Sequence, residues 1–521
     1  MKMSIVLSAC LLFSITAYHG FCGGSTAPVQ APAEANKTLS VLRVGVPDIP
    51  PNLDPGTGIS NTNGRFLFNI FDMVMWDDAS KNNEKSSYIC EDYKVLDEFT
   101  TEIKIKRGIT FQNGDPLTAE DVKFTIERIV FGDRKYFAST ISSLFPSIEK
   151  VEVMDTYTVR IKTKTPDPVM LDRLSSPSGF YIVPKKYVEE IGNERFGQAP
   201  IGTGPYKVTS YSPEKVVLEY YKGYYGQRPV ADKIEFLLYP EVSTRIVAMM
   251  TGEIDVCFAL ATEDEAQFKS AKGVRFEQRP YTTFHMLCYN SSVPPMNDVN
   301  LRKALNCSID RELIVKTLWG GRATVPNGYN FKEFGNYYIT NYPKYEYNVS
   351  KAKEYLVASK YKGEKIIYQL QSGYYPLGNE VAEAIVSMWQ SIGVNAVVEI
   401  NSTWTHNTYH VHNWNNGIRF QDPVGGMWLL WGPDSNAEKY YWKNEKAWAE
   451  FSELGQFLQT SGDFNKRYAA NRRMMELFDG ECVGTPLYQV PNLYALRDIF
   501  GWNHHSNTAS FSFRAEHFFI K

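Results

Sequence analysis

Histidines near residue 410 are the side chains whose type and spacing come closest to a reactive site. His406 and His410 stand four residues apart, between Trp404 and Trp414. On a helix, that spacing places two imidazoles on one face, where they could hold a metal ion. The same pattern fits two histidines on an exposed helix surface. We predict no dedicated metal site and name His406 and His410 as the residues to check.

Catalytic signatures do not accompany these histidines. The sequence has no Gly-x-Ser-x-Gly turn, no Walker loop and no His-Glu-x-x-His helix. Gly202 and Gly204 form only a Gly-x-Gly pair, without the third glycine of a dinucleotide fingerprint. We therefore predict a protein that is not an enzyme and needs no cofactor. An exported hydrolase is the alternative from another functional class.

The composition is typical of a large soluble protein. A chain of 521 residues exceeds one compact domain, so two or three structural units are expected. The formal charge of -3 argues against nucleic acid as a partner, because nucleic-acid binding usually requires a basic surface. Aromatic residues make up 14% of the chain, which fits either a large aromatic core or a wide cleft lined by rings.

The N-terminus has the pattern of an export signal. An apolar run at 3–17 follows Lys2 and is too short to span a bilayer, but it suits a secretory leader. The Pro/Ala-rich stretch behind it has the composition of a flexible tether. We predict a signal peptide at 1–22 and a tether at 23–38. Lipidation of Cys22 stays open, since Phe21 stands where a lipobox has a small residue.

Five cysteines remain after this leader. An odd number in an exported chain leaves at least one thiol unpaired, and the sequence does not choose the pairing of the others. No Cys-x-x-Cys pair is present, so a cysteine-based metal or redox motif is not predicted. The five residues are Cys90, Cys257, Cys288, Cys307 and Cys482.

Helix and strand patterns alternate along the chain, which favours an α/β protein. Residues 39–46 alternate as a strand, and a turn at 113–116 precedes a capping box formed by Thr118 and Asp121. Apolar residues at helical spacing over 381–392 lead into a strand at 394–400. Further along the chain, two aspartates are expected to cap consecutive helices, Asp298 and Asp310.

Three stretches in this order resemble the family 5 extracellular solute-binding proteins, the oligopeptide, dipeptide and nickel receptors of bacterial ABC importers. They are FQNGDPLTAEDV at 111–122, IGTGPY at 201–206 and LRKALNCSIDR at 301–311. The resemblance extends over about residues 40 to 521. It implies a two-lobed periplasmic-binding-protein fold (type II, cluster C) with an extra subdomain inserted in lobe I.

The same resemblance implies a discontinuous domain layout. We expect lobe I to be built from three segments of the chain, and lobe II and the inserted subdomain to be built from one segment each. The ranges are 39–58, 184–279 and 491–521 for lobe I, 59–183 for the inserted subdomain, and 280–490 for lobe II.

Ligand-binding residues are also implied by the resemblance. Gly58, Ile59, Ser60 and Asn61 align with a loop whose backbone pairs with extended peptides in the family. Trp404 and Trp414 flank the histidines and offer ring faces for stacking on a ligand.

The segment GIRFQDP at 417–423 departs from the family pattern. Asp422 and Pro423 match an Asp-Pro of the peptide-binding members, and Asp422 is included among the ligand residues. Dipeptide receptors place another Asp three residues earlier to bind the ligand α-amine, whereas this chain has Arg419. A guanidinium suits a carboxylate, phosphate or sulfonate instead. The alternative is that Arg419 points away and pairs with an acid.

The resemblance implies the extracytoplasmic binding component of an ABC importer. Its partners would be a small solute, most simply a peptide, and an ABC permease with its ATPase. We expect a monomer in the periplasm or on the outer face of the membrane, tied to the membrane only through a lipid on Cys22. Alternative ligands are an anionic opine-like conjugate, an oligosaccharide or chelated nickel. A sensory receptor that signals to a membrane kinase is a third possibility.

Overall fold

The structure is a computed structural model that describes most of the chain after residue 37. No helix within this part is long and apolar enough to cross a membrane. The described residues are 38–57, 61–78, 84–137, 142–176, 180–371, 375–401, 409–435, 437–503 and 511–521.

Strands and helices alternate along the chain, as the hydrophobic patterns predict. The strands are β1 (Leu42–Val46), β2 (Trp76–Asp78), β3 (Glu84–Ser86), β4 (Cys90–Asp97), β5 (Thr100–Ile105), β6 (Ile148–Asp155), β7 (Thr158–Thr163), β8 (Tyr206–Tyr211), β9 (Lys215–Tyr220), β10 (Lys233–Leu238), β11 (Val256–Cys257), β12 (Val274–Tyr289), β13 (Ile366–Leu370), β14 (Ala396–Ile400), β15 (Val411–Gly417), β16 (Gly484–Arg497), β17 (Phe500–Trp502) and β18 (Phe518–Ile520). The helices are α1 (Asn61–Ile70), α2 (Ala119–Phe131), α3 (Met170–Leu174), α4 (Lys185–Ile191), α5 (Asn193–Gln198), α6 (Val242–Thr251), α7 (Glu265–Phe268), α8 (Val299–Cys307), α9 (Arg311–Leu318), α10 (Val349–Ala358), α11 (Gly378–Ser391), α12 (Met427–Trp431), α13 (Ala437–Tyr440), α14 (Glu445–Thr460) and α15 (Phe464–Glu481).

Ten strands of the described chain form one mixed sheet. Their order is β14-β13-β15-β12-β16-β11-β1-β10-β9-β8. Strand β1 occupies a central position because Leu42, Val44 and Val46 are buried, and it pairs in parallel with both β10 and β11. β13 likewise pairs in parallel with β14 and β15. Parallel strands need long crossover connections, which the helices between these strands provide.

The long strands β12 and β16 join the two halves of this sheet. They pair antiparallel from Val274 to Cys288, with a break in register between Pro280 and Phe284. At that break Pro280 lies opposite Pro491. Proline has no N–H to donate to a neighbouring strand, so the ladder is weakened at this point.

A separate sheet of four antiparallel strands, in the order β4-β5-β7-β6, lies between β1 and β8 in sequence. Alternate residues of β5 and β7 are buried, among them Ile103, Ile105, Val159 and Ile161. This alternation is expected for a sheet with one face on a core.

Gln112 connects two of the motifs on which the family resemblance rests. Its side-chain oxygen accepts the N–H of Gly202 at 2.9 Å, and its amide nitrogen donates to the carbonyls of Ile70 at 2.8 Å and Tyr206 at 2.7 Å. A Cβ atom at Gly204 would come within 2.7 Å of the Ile70 backbone, so the turn requires glycine there. The chain therefore makes a tight turn before strand β8.

The predicted capping box of helix α2, formed by Thr118 and Asp121, is present. The Asp121 carboxylate accepts both the N–H and the hydroxyl of Thr118, each at 2.9 Å. Val122, Ile126 and Ile129 are buried, as their spacing predicts.

The third motif is also structural. Asp298 accepts from the N–H of Asn300, and Asp310 accepts from that of Leu313, so both predicted caps are confirmed. Arg302 is buried at 0% exposure and donates to backbone carbonyls, including that of Met296 at 2.6 Å. Its guanidinium therefore stabilises chain segments rather than facing solvent.

All five described cysteines are buried, and none of them forms a disulfide with another described cysteine. The prediction that at least one thiol stays free is confirmed. Burial raises the pKa of Cys257 to about 12 and that of Cys482 to about 12, so these thiols remain protonated at neutral pH.

Candidate ligand-binding site

The carboxyl ends of β13, β14 and β15 lie at one edge of the main sheet, because these three strands run parallel. Ligands of open α/β sheets bind outside the carboxyl ends of such strands. The connections that leave this edge are residues 371–377 after β13, 401–410 after β14 and 418–422 after β15. The predicted residues Trp414, Arg419 and Asp422 lie on β15 or just after it.

Several predicted residues fall outside the described part of the chain. These are Gly58, Ile59, Ser60, Trp404 and His406. Asn61 is the first residue of helix α1, and its side chain is likewise not described.

His410 does not lie on a helix, which corrects the geometry expected for the two histidines. It directly precedes strand β15, where the backbone is extended. Its Nδ1 accepts the N–H of Ile367 at 3.0 Å, and its Nε2 lies 3.2 Å from the carbonyl oxygen of Pro294. Both ring nitrogens therefore have backbone partners. Among the described residues, no group of three or more His, Cys, Asp or Glu side chains is placed to hold a metal ion.

Trp414 is half-buried on strand β15 and packs against the core. Its ring centroid lies 5.6 Å from that of Trp431. Trp431 is fully buried and donates from Nε1 to the side chain of Asn416 at 2.7 Å. The Trp414 ring therefore packs against the core, while part of the side chain stays exposed.

Arg419 lies just beyond the end of β15, next to the register break of β12. The N–H of Ile418 donates to the carbonyl of Thr282 at 3.2 Å, and the N–H of Arg419 donates to that of Gly425 at 2.7 Å. The backbone of Arg419 is thus fixed on both sides.

The side chain of Arg419 is half-buried and carries an uncompensated charge. Within the described residues, its guanidinium makes no hydrogen bond or ion pair. Burial lowers the pKa of Arg419, and the nearby phenols of Tyr329 and Tyr281 partly oppose this shift. A half-buried cation without an acid beside it is suited to receive an anion from outside the chain.

Asp422 has a different environment three residues later. It is buried, and both of its carboxylate oxygens accept from Arg467 at 2.8 Å. Oδ1 also accepts the N–H of Val424 at 2.9 Å, which begins a short turn at Pro423–Gly425. These contacts fix the loop that carries Arg419.

A segment distant in sequence contacts this loop. The hydroxyl of Ser176 donates to the carbonyl of Arg419 at 2.5 Å. The guanidinium of Arg173 lies 5.6 Å from the centroid of the Phe420 ring. Arg173 is itself held by a buried ion pair with Asp167 at 2.9 Å.

Sequence reasoning missed the residues around Arg419. Ser176 is 243 residues away along the chain, and no local pattern reports such a contact. Tyr281 lies within the register break, where Gln489 donates from its side chain to the Tyr281 carbonyl at 3.0 Å. The high content of aromatic residues fits either a ring-lined cleft or an aromatic core, and it does not select Tyr281 or Tyr329.

Comparison with known proteins agrees with this fold. Residues 89–438 match the family model of bacterial extracellular solute-binding proteins, family 5. An ABC transporter peptide-binding protein of Brucella ovis is 28% identical over 398 residues, which are 73% of this chain and 72% of the relative.

Two solved structures show the same fold at lower sequence identity. One is a dipeptide-binding protein of a Pseudoalteromonas species in complex with Met-Leu, with a TM-score of 0.81, 18% identity, and coverage of 92% of this chain and 100% of that one. The other is the binding protein AgaA of A. tumefaciens R10 in complex with agropinic acid, with a TM-score of 0.78, 20% identity, and coverage of 92% and 99%. The chain thus belongs to the family 5 bacterial extracellular solute-binding proteins and has the two-lobed α/β fold of an extracytoplasmic substrate-binding protein of an ABC importer.

Proposed function

We propose that the protein captures peptides, binds their carboxylate with Arg419, and delivers them to a membrane permease driven by a separate ATPase. The 28% identity to a peptide-binding relative supports the peptide class. The observation that carries the proposal is the half-buried Arg419 guanidinium, which has no acidic partner among the described residues. An ammonium group would be repelled at this position, so the α-amine must bind elsewhere.

Other predicted residues have supporting roles in this proposal. The backbone of Gly58, Ile59, Ser60 and Asn61 pairs with the extended ligand, and Trp404 and Trp414 offer ring faces. Asp422 acts indirectly, because its ion pair with Arg467 holds the loop of Arg419 in place.

The proposed domain layout keeps lobe I at 39–58, 184–279 and 491–521, lobe II at 280–490, and the inserted subdomain at 59–183. The register break beside Pro280 and Pro491 supports a hinge at the two lobe crossings. Closure about such a hinge would bury the ligand between the lobes.

The remaining features of the proposal concern export and assembly. We propose a signal peptide at 1–22, a tether at 23–38, a lipid on Cys22, and a monomer that catalyses no reaction. The apolar run at 3–17 supports the proposed signal peptide.

Isothermal titration calorimetry of the protein against di- to hexapeptides and their methyl esters tests the proposal. Free peptides are expected to bind at least 10-fold more tightly than their esters, because a charge-assisted hydrogen bond contributes about 1.5–3 kcal/mol. Arg419→Gln should remove this difference. Arg228→Gln is the matched control, since Arg228 is exposed and pairs with Asp232 four residues away.

A second candidate function uses the same cation. An anionic opine-like conjugate would also satisfy Arg419, so agropinic acid belongs in the titration. Binding of agropinic acid without any peptide would replace the peptide proposal. Equal affinity for peptides and esters in the unmodified protein would refute the role of Arg419.

A further inference from the structure

Glu333 is a half-buried glutamate that forms no ion pair within the described part of the chain. It lies in the first turn of a short 3-10 helix at Lys332–Tyr337. Its carboxylate accepts hydrogen bonds from its own backbone N–H and from the side-chain amide of Gln489. Both donors are neutral, so they hold the carboxylate in place without compensating its charge.

The described surroundings of Glu333 do not offset the burial of its charge. Burial raises the pKa of Glu333, and its own backbone N–H, the Gln489 amide and the Lys332 ammonium oppose this shift, in that order. Lys332 is exposed, which weakens its effect on the carboxylate. A charge removed from water is unfavourable unless it is paired. The Glu333 carboxylate is therefore suited to receive a cationic group from outside the chain.

Gln489 places Glu333 beside the register break of β12 and β16. It lies opposite Phe284, the first paired residue after the break. Its side-chain amide also donates to the carbonyl of Tyr281, which lies within the break, at 3.0 Å. The backbone of Gln489 is fixed by a hydrogen bond from its N–H to the Thr324 carbonyl at 2.8 Å. One amide thus connects the Glu333 carboxylate to the backbone of the break.

Arg419 approaches the same break from strand β15. The phenol of Tyr281 is one of the two groups that oppose the lowering of the Arg419 pKa. The loop of Arg419 also packs on the segment of Glu333, since a Cβ atom at Gly426 would come within 2.9 Å of Phe334. Gly425, the preceding residue, accepts the N–H of Arg419 at 2.7 Å.

Glu333 and Arg419 carry opposite charges that do not neutralise each other. Neither group is among the influences on the pKa of the other, so they are too far apart to form an ion pair. A peptide carries its own two opposite charges at its two ends, separated by about 3.3–3.6 Å for each extended residue. A zwitterionic ligand would therefore compensate both side chains at once, whereas a simple anion would compensate only Arg419.

We propose that Glu333 binds the α-ammonium group of a captured peptide, while Arg419 binds its carboxylate. This inference rests on the proposed function of peptide capture, in which the amine must bind away from Arg419. The Gln489 amide holds the Glu333 side chain beside the break. The ammonium donates to the carboxylate in a charge-assisted hydrogen bond.

Calorimetry with alanine tripeptides tests the role of Glu333. The probes have either a free or an acetylated N-terminus, and the α-amine is the single ammonium of the free form. We expect the free peptide to bind at least about 10-fold more tightly, because acetylation removes one charge-assisted hydrogen bond. Glu333→Gln keeps the shape of the side chain, so it should weaken the free peptide about 10-fold and leave the acetylated one unchanged.

Glu346→Gln is the matched control for this measurement. Glu346 is exposed and pairs with Lys351 at 2.7 Å, so its loss should leave both peptides unaffected. The preference of the Glu333→Gln variant for free acids over methyl esters should also persist, because that preference belongs to Arg419. Removal of an uncompensated charge should leave the melting temperature of the free variant unchanged or higher. A lower melting temperature with an intact preference for the free amine would assign the Glu333 carboxylate to the fold instead.

Equal binding of free and acetylated peptides by the unmodified protein would overturn the proposal, while a preference for acids over esters would leave the proposed function standing. This comparison needs no variant, so it holds even if Glu333→Gln fails to fold. If no peptide binds at all, the proposed function fails, and n-butylammonium becomes the probe. Carbon NMR would follow the Glu333 carboxyl signal, assigned by its loss in Glu333→Gln. A shift with n-butylammonium but not with n-butanol would support an amine site without peptides, whereas no shift, or an equal shift with n-butanol, would refute it.

Discussion

Arg419 and Asp422 lie three residues apart on one loop, but their charged groups have different surroundings. Asp422 is buried against Arg467. Removal of one partner of such a pair is strongly destabilising, because it leaves the other charge buried without a partner. Arg419 has no described acidic partner, so its charge contributes little to the fold. At the scale of residues, a charge left uncompensated inside a packed protein is therefore the stronger indication of ligand binding.

Asp479 should make the stability of the protein depend on pH. It accepts hydrogen bonds from the hydroxyls of Tyr342 and Tyr345, both at 2.7 Å, and burial raises its pKa from 3.8 to about 6. The folded state then holds the proton more tightly than the unfolded state. Its contribution is complete below about pH 4 and is lost as the pH rises to about 6, an effect of about 3 kcal/mol. Asp479→Asn should remove this fall, as measured by urea unfolding between pH 4 and 7.

Asp463→Asn provides the control for this measurement. Asp463 is exposed at the start of helix α15, and the backbone N–H of Lys466 lowers its pKa. Any pH dependence from Asp463 therefore has the opposite sign, with stability lost as the pH falls. The same slope in Asp479→Asn and in the unmodified protein would show that Asp479 ionises freely in the fold.

The two histidines at positions 406 and 410 show that residue spacing alone does not distinguish a helix from a strand. A spacing of four residues predicts a shared face only if the segment is helical. Here His410 leads into strand β15, which is held between β12 and β13 by tertiary pairing. Local spacing contains no information about those neighbours, so the strand could not be distinguished from a helix. Arg419, by contrast, was predictable as a ligand candidate from its departure from the family pattern.

At the scale of elements, the three recognition motifs contribute caps and a turn to the fold. Caps and turns in them were predictable, because the carboxylates of Asp121, Asp298 and Asp310 accept from N–H groups only two or three residues away. Their long-range contacts were not predictable. Gln112 binds the turn at Gly202, 90 residues later, and only the folded chain brings the two together.

Gln112→Leu should strongly destabilise the protein. The substitution removes the acceptor of the Gly202 N–H and one hydrogen bond from each of the carbonyls of Ile70, Gly204 and Tyr206. The Ile70 carbonyl keeps its bond from the N–H of Gly204. We expect a loss of about 3–5 kcal/mol in the free energy of unfolding, measured with urea. Asn113→Ala is the control, because Asn113 is exposed and, among the described residues, its side chain bonds only to Asp115. A loss as small as that of the control would mean that water replaces the Gln112 contacts.

At the scale of the whole molecule, two distant parts of the chain bind the loop that carries Arg419. One is strand β12 beside its register break, and the other is Ser176. The N–H of Ile418 bonds to Thr282 beside the register break, and the Arg419 carbonyl accepts from Ser176. Ser176 belongs to the inserted subdomain and Arg419 to lobe II in the proposed layout. The contact therefore joins two units that would separate when the cleft opens, and it stabilises the arrangement in which they meet.

Ser176→Ala should weaken ligand binding without touching the ligand. Loss of one hydrogen bond of about 1 kcal/mol from the closed form shifts the equilibrium toward the open form, which lowers apparent affinity by up to about 5-fold. Calorimetry would measure the affinity, and small-angle X-ray scattering would measure the radius of gyration. The free variant should be more expanded than the free unmodified protein, and both should reach the same compact size at saturating ligand.

Ser175→Ala separates this mechanism from a general disturbance of the segment. The Ser175 hydroxyl donates to the Asp172 carbonyl at 3.0 Å and accepts from Lys85 at 3.0 Å, so these two bonds stay within the inserted subdomain. We expect Ser175→Ala to change stability while leaving affinity and the radius of gyration of the free protein unchanged. Equal losses of affinity in the two variants would show that the segment acts through its own folding. In that case the bond from Ser176 to Arg419 would have no part in closing the cleft.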